Sequence, residues 1–184
     1  YVTYAVASVR HLGPLGTGLG QGFDRIAAPR GEVWDAELSL DMIESWLPSA
    51  EGRPLFAWLH LFDAHAPYDA PDWALQQVGL EPGTRADLED LGRAVVAQQY
   101  AASGLRLGQR WVFTNGLRSE FLDGATGAPS KRGGQLAQHY SSEVVFLDRE
   151  LGRLLDGLSE RGLLEDSLLI VTGESEPEEG LPLV

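Results

Sequence analysis

A short apolar run, "LFAWLHL" at residues 55–61, limits the folds that this chain can adopt. Pro54 precedes the run, and the segment "FDAHAPYD", which carries two Asp, one His and one Tyr, follows it directly. The run is too short for a core helix, but it suffices for a strand that is buried on both faces. Because such strands belong to parallel sheets covered by helices, the run favours an α/β fold.

The spacing of apolar residues predicts helices at three places. The first helix follows Asp35, a residue suited to capping, and ends before Pro48. A second follows Thr84, whose spacing to Asp87 is that of a capping box. The third ends near Gly162, a natural helix stop. Its stripe consists of Tyr140, Val144, Leu147, Leu151, Leu154, Leu155 and Leu158.

Two further segments are predicted to be strands. Residues 2–8 are rich in β-branched and aromatic side chains, and residues 167–172, "SLLIVT", form another buried apolar run. The order strand, helix, strand, helix, helix, strand predicts one α/β domain, with a mixed and mostly parallel sheet flanked by helices.

Composition excludes several classes of function. A formal net charge of −13 opposes binding to nucleic acid, because phosphate binding needs clustered Lys and Arg. The chain has 0 cysteines, which excludes disulfides, zinc-thiolate sites and a thiol nucleophile within it. No apolar run approaches the roughly 20 residues that span a bilayer, so we expect no membrane segment in this piece.

Two predicted strands end in polar side chains that are candidates for a site. Asp63 and His65 follow residues 55–61, and Glu174 follows residues 167–172. In open α/β sheets, ligands bind beyond the carboxyl ends of strands. Asp and His two residues apart suit a cation site or a histidine held by a carboxylate. A capping Asp beside a surface His explains the same pattern equally well.

The other histidines favour structural roles. His60 alternates with Phe56 and Trp58 along the predicted strand, which is typical of a core histidine. His11 and His139 have no supporting neighbours in the sequence. The glycines of "GTGLGQG" do not satisfy the dinucleotide-binding pattern, so we interpret them as turn residues.

Three stretches resemble the sulfatase family in the family's order. Residues 54–68, "PLFAWLHLFDAHAPY", resemble its segment P-F-F-L-W-x-H-x-F-D-P-H-x-P-Y. Residues 143–172 are similar to its helix G-E-V-x-x-x-D-x-x-L-G-R-L-L-D and the strand that follows. "GLGQGFD", residues 18–24, resembles an early loop of the family. Residues 72–138 carry no such resemblance.

The resemblance implies an alkaline phosphatase-like fold and hydrolysis of sulfate esters. Family members use a formylglycine, made from the Cys or Ser of C/S-x-P-x-R, together with calcium or another divalent cation. By its place in the motif, His65 would be the catalytic histidine that faces the sulfate or the leaving group. Asp63 would orient His65 or shape the pocket. The partner would be a small-molecule or glycan sulfate ester.

The departures from the family predict an incomplete catalytic domain. C/S-x-P-x-R is absent, since "APSKR" at residues 128–132 has its Pro before the Ser. Where the family has T-S-D-H-G-E, this chain has "TGESEP", so Glu174 replaces an Asp metal ligand and is a weaker one. We therefore expect residues 1–184 to be an internal fragment that lacks the nucleophile segment and the C-terminal part.

Such a fragment would be inactive alone, while the parent protein would be a sulfatase-type hydrolase. Any export signal would precede the missing segment, so the compartment stays open. Two alternatives also stay open: a phosphodiester or phosphonate hydrolase of the same superfamily, and a catalytically dead remnant. The unrelated calcineurin-like class is disfavoured, because its G-D, G-N-H and G-H motifs do not follow the Asp-x-His.

Overall fold

The computed structural model describes residues 1–14, 17–50, 52–65, 67–86 and 131–173. These residues belong to two compact units. Unit 1 comprises Tyr1–Ala64 and Phe146–Leu168, and unit 2 comprises His65–Val145 and Leu169–Val184. The helix predicted after Thr84 lies outside the described residues from position 87 onward.

Unit 1 contains a parallel sheet of three strands, β1 (Val2–Ala7), β2 (Arg25–Ala27) and β3 (Leu55–His60). The strand order is β2-β1-β3, and β1 pairs in parallel with both neighbours. The predictions of strands at residues 2–8 and 55–61, and of an α/β fold with a mostly parallel sheet, are confirmed. The sequence did not indicate β2, because three residues are too few for a recognisable alternation.

Helix α1 (Ala36–Trp46) begins directly after Asp35 and ends before Pro48, as its sequence predicts. The Asp35 side chain accepts a hydrogen bond from the Leu38 N–H at 2.8 Å, which caps the first turn. A 3₁₀ turn, Leu47–Ala50, follows the helix. The core of unit 1 joins this helix to β1, and its buried members are Val2, Tyr4, Val6, Leu40, Ile43, Ala50 and Leu154.

The prediction that β3 is buried on both faces is wrong. Leu55 and Leu59 lie against the core, but Phe56, on the opposite face, is 52% exposed. That face is covered by a loop and not by a helix in the described residues, with the ring of Phe23 at 6.0 Å from Phe56 and 6.5 Å from Trp58. One loop aromatic shields less surface than a helix would.

The long amphipathic stripe forms helix α3 (Lys131–Glu160), as predicted. Its first half belongs to unit 2, together with the short helix α2 (Asp72–Gln77), and its second half belongs to unit 1. Gly162 has φ +67, and its N–H bonds the Ser159 carbonyl while the Leu163 N–H bonds that of Leu158. This is a Schellman motif, which confirms the predicted helix stop. None of the described helices is long and apolar enough to cross a membrane.

The predicted buried strand at residues 167–172 is not formed. These residues have no regular secondary structure, do not pair with the described sheet, and are exposed. Leu168, Leu169, Ile170 and Val171 have exposed fractions of 86%, 57%, 75% and 77%. An apolar run becomes a strand only where a neighbouring strand accepts its backbone bonds, and the described residues supply none for it.

Truncation of Leu40 tests the core of unit 1. Leu40 is 0% exposed, so Leu40→Ala leaves a cavity and should lower the free energy of unfolding by about 2–5 kcal/mol. Leu38, on the same helix, is 45% exposed, so Leu38→Ala should cost about 0.5 kcal/mol or less. Urea unfolding followed by circular dichroism measures both. Equal losses would contradict the assignment of the buried face.

A charge in the exposed apolar run should reduce self-association. Four exposed apolar residues in a row form a segment prone to pair with other chains. We expect Ile170→Lys to lower light scattering at matched concentration. Val33→Lys is the control, because Val33 is also exposed but is flanked by Glu32 and the half-buried Trp34, so it is not part of an exposed apolar run. If both variants scatter light equally, the run at 168–171 is not the cause.

Candidate active site

The segment after β3 carries the two predicted catalytic residues, and it crosses from one unit to the other. Asp63 lies near the end of the first stretch of unit 1, and His65 is the first residue of unit 2. Ala66, between His65 and Pro67, lies outside the described residues.

Asp63 contacts the first turn of helix α1. Its Oδ1 atom accepts a hydrogen bond from the Ala36 N–H at 2.8 Å. The first N–H groups of a helix have no partner inside the helix, and carboxylates are favoured beside them. Asp63 therefore acts as a second cap on α1, alongside Asp35, and ties the end of β3 to that helix.

Burial raises the pKa of Asp63 from 3.8 to about 6. The hydrogen bond from Ala36 opposes this shift, and the nearby charge of Asp35 adds to it. The buried Oδ2 atom has no hydrogen-bond partner among the described residues. An Oδ2 atom without a donor is consistent with a carboxyl that holds its proton more tightly than an exposed one does.

His65 is exposed, whereas the residues that follow it are not all exposed. Tyr68, three residues further on, is 1% exposed, and Ala70 is 6% exposed. The segment therefore places an accessible imidazole next to an anchored stretch of chain. An accessible imidazole can exchange protons with a bound molecule.

Helix α3 supplies the anchor of this stretch. The Tyr68 ring lies edge-on to that of Tyr140, with centroids 6.0 Å apart. The Asp69 N–H donates a hydrogen bond to Oε1 of Glu143, which is 4% exposed. Burial, with Tyr140 and Glu143 nearby, raises the pKa of Tyr68 to about 12. The phenol is therefore neutral at physiological pH.

Sequence reasoning missed Glu143, although a signal was present. Glu143 is three residues after Tyr140 and four before Leu147, so it stands within the apolar stripe of α3. A charged residue on a buried helix face needs a partner, and that requirement marks it as a residue with a specific contact.

The remaining histidines differ in environment. His60 is half-buried on β3, with its ring 6.2 Å from Trp58 and 6.1 Å from Phe62. His139 is 7% exposed, and burial lowers its pKa. Its Nδ1 atom has no hydrogen-bond partner among the described residues. His11 is exposed.

The metal ligand predicted at Glu174 lies outside the described residues. Within the parts of the chain that the structure describes, no group of three or more His, Asp or Glu side chains could hold a metal ion. The described residues by themselves therefore do not form the cation site that the resemblance implies.

Comparison with known proteins identifies the class of this domain. The profile of the sulfatase family matches residues 12–175, which is most of the chain. The chain therefore belongs to the sulfatase family, and the resemblance drawn from its motifs is confirmed.

A search of the curated proteins finds no match. Among solved structures, the chain is similar to the crystal structure of the lipoteichoic acid synthase LtaP from Listeria monocytogenes, with 15% sequence identity and a TM-score of 0.45. The alignment covers 90% of this chain and 32% of that chain. The present chain thus spans about a third of the length of that structure.

The pH dependence of stability tests the environment of Asp63. Its folded pKa of about 6 exceeds 3.8, so its contribution to stability is complete below about pH 3.8 and is lost as the pH rises through 6. Asp63→Asn cannot ionise but keeps an acceptor for the Ala36 N–H. We expect the stability of this variant relative to wild type to rise by about 2–3 kcal/mol between about pH 4 and pH 7.

Urea unfolding over that pH range measures the difference. Asp148→Asn, at an exposed position on α3, is the control and should track the wild type throughout. A constant difference between Asp63→Asn and wild type would show that the Asp63 carboxyl is solvated.

Proposed function

We propose that this chain is part of a sulfatase catalytic domain and that the whole protein hydrolyses sulfate esters. The observation that carries the proposal is the match to the sulfatase family over residues 12–175, which includes the segment with Asp63 and His65. Because the chain spans a third of the similar structure's length, the activity is proposed for the whole protein, not for residues 1–184 alone.

His65 is the proposed catalytic residue. Cleavage of a sulfate ester leaves an alkoxide or phenolate, which needs a proton, and imidazole can supply one near neutral pH. The exposed position of His65, five residues along the chain from the end of β3, supports this role. The partner is a small-molecule or glycan sulfate ester.

Asp63 is proposed to shape the segment that carries His65. Its hydrogen bond to the Ala36 N–H supports this role, because that contact fixes the end of β3 against α1. Its pKa of about 6 leaves part of the carboxyl neutral at mildly acidic pH. Asp63 would then hold the loop in either protonation state, since both states keep an acceptor for Ala36.

The nucleophile and the divalent cation are proposed for the whole protein only. When bound, the cation would polarise the sulfate oxygens, and Glu174 is the one proposed ligand from this chain. The described residues do not form a cation site, and the sequence contains no C/S-x-P-x-R. We therefore propose that residues 1–184 alone do not turn over substrate.

Sequencing the DNA on both sides of the coding region is the first test. We expect an open upstream frame with C/S-x-P-x-R and paired aspartates. The polypeptide of the complete frame should hydrolyse an aryl sulfate with calcium present, whereas residues 1–184 should show no turnover above background.

Substitution of His65 in that polypeptide tests the assignment of its role. His65→Ala should lower kcat/KM by about 100-fold or more, because a general acid contributes about 10²–10⁴-fold. His11→Ala, at another exposed histidine, should change kcat/KM by less than about twofold. A frame without the nucleophile motif, or unchanged turnover in His65→Ala, would favour the dead remnant or another role for His65.

A further inference from the structure

We propose that Glu143 is a positioning residue for His65, because it fastens the stretch that follows His65 to helix α3. The inference rests on the proposed function in which His65 meets the substrate. All residues that carry it lie in unit 2.

The contact itself joins a buried carboxylate to the backbone. Glu143 is 4% exposed on α3, and its Oε1 atom accepts the N–H of Asp69. Because the donor is a backbone N–H, the contact fixes the path of the chain at position 69 rather than one rotatable side chain.

A second contact lies one residue closer to His65. Tyr68 is 1% exposed, and its ring packs edge-on against Tyr140, 6.0 Å away on the same helix. His65 is three residues before Tyr68, and three residues reach at most about 10 Å. His65 is therefore only three residues away from a position that is held against α3.

The anchored stretch is held again further along. Gln138 Nε2 donates a hydrogen bond to the Val78 carbonyl at 3.0 Å, just beyond α2. Both ends of residues 68–78 are therefore bonded to the first half of α3. The ion pair between Asp69 and Arg85 adds little, since both side chains are more than half exposed.

A buried carboxylate is an expensive way to stabilise a helix face. An apolar residue at position 143 would continue the stripe of α3 without the cost of burying a polar carboxyl group. The presence of an acid at position 143 is explained if its role is to hold the backbone at position 69. Glu143 then serves the placement of His65, and the packing of α3 is left to its apolar neighbours.

Histidine ring spectra of the 184-residue chain test the proposal. The chain has 4 histidines, so selective ¹⁵N labelling gives a spectrum that can be assigned by substitution. We expect Glu143→Ala to shift or broaden the ring signals of His65 and to leave those of His11 in place. Amide exchange at residues 68–70 should accelerate by about tenfold or more.

Two conservative variants separate positioning from folding. Glu143→Gln keeps an acceptor for the Asp69 N–H and should restore the His65 spectrum. Glu143→Asp has a shorter reach and should perturb it, so the proposal stays testable even if Glu143→Ala fails to fold. Asp148→Ala, exposed on the same helix, is the matched control. An unchanged His65 spectrum in folded Glu143→Ala or Glu143→Asp would overturn the proposal.

Catalytic activity is measured separately, in the full-length protein that the complete reading frame encodes. If Glu143 positions His65, Glu143→Ala lowers kcat by about tenfold or more with a smaller change in KM, and Glu143→Gln retains most of kcat. If that polypeptide shows no turnover while the His65 spectrum still depends on Glu143, the proposed function fails and the anchoring stands.

Discussion

Parallel pairing of β1 with strands on both of its sides is the constraint on which unit 1 depends. Parallel pairing brings the carboxyl ends of β1 and β3 to one edge, and both ends are then bonded to the start of α1. Ser8, after β1, is fully buried and shares a hydrogen bond with Ser39 on α1. Asp63, after β3, accepts the N–H of Ala36. The segment that leads to His65 therefore leaves from a strand end that is fixed in place.

Helix α3 carries two buried acids on one face, and each has a polar partner. Glu143 accepts the backbone N–H of Asp69 within unit 2. Glu150, seven residues later, is 8% exposed and pairs with Arg153, which also reaches Asp41 and Glu44 on α1. A buried acid is tolerable when its partners offset the loss of water. In both halves of α3, an acid on the apolar face marks a specific tertiary contact.

Membership of the sulfatase family gives these contacts a functional context. The side chains of the family segment that contains Asp63, His65 and Tyr68 differ in exposure. In sequence order, they are a half-buried carboxyl, an exposed imidazole and a buried phenol. Such a division suits a loop that presents one reactive group while its neighbours hold the chain. The described residues supply this support, whereas the proposed nucleophile and cation site belong to the whole protein.

The sequence by itself determined the elements whose signals are local. The Asp35 cap, the stripe of α3 and the stop at Gly162 depend on residues a few positions apart, and all three are present in the structure. Only the tertiary structure decided that residues 167–172 stay unpaired, that Phe56 is half exposed, and that Asp63 and Glu143 bond to distant backbone groups. A strand needs a neighbour, and a buried acid needs a donor. Both come from parts of the chain that are remote in sequence, so no local sequence pattern can predict them.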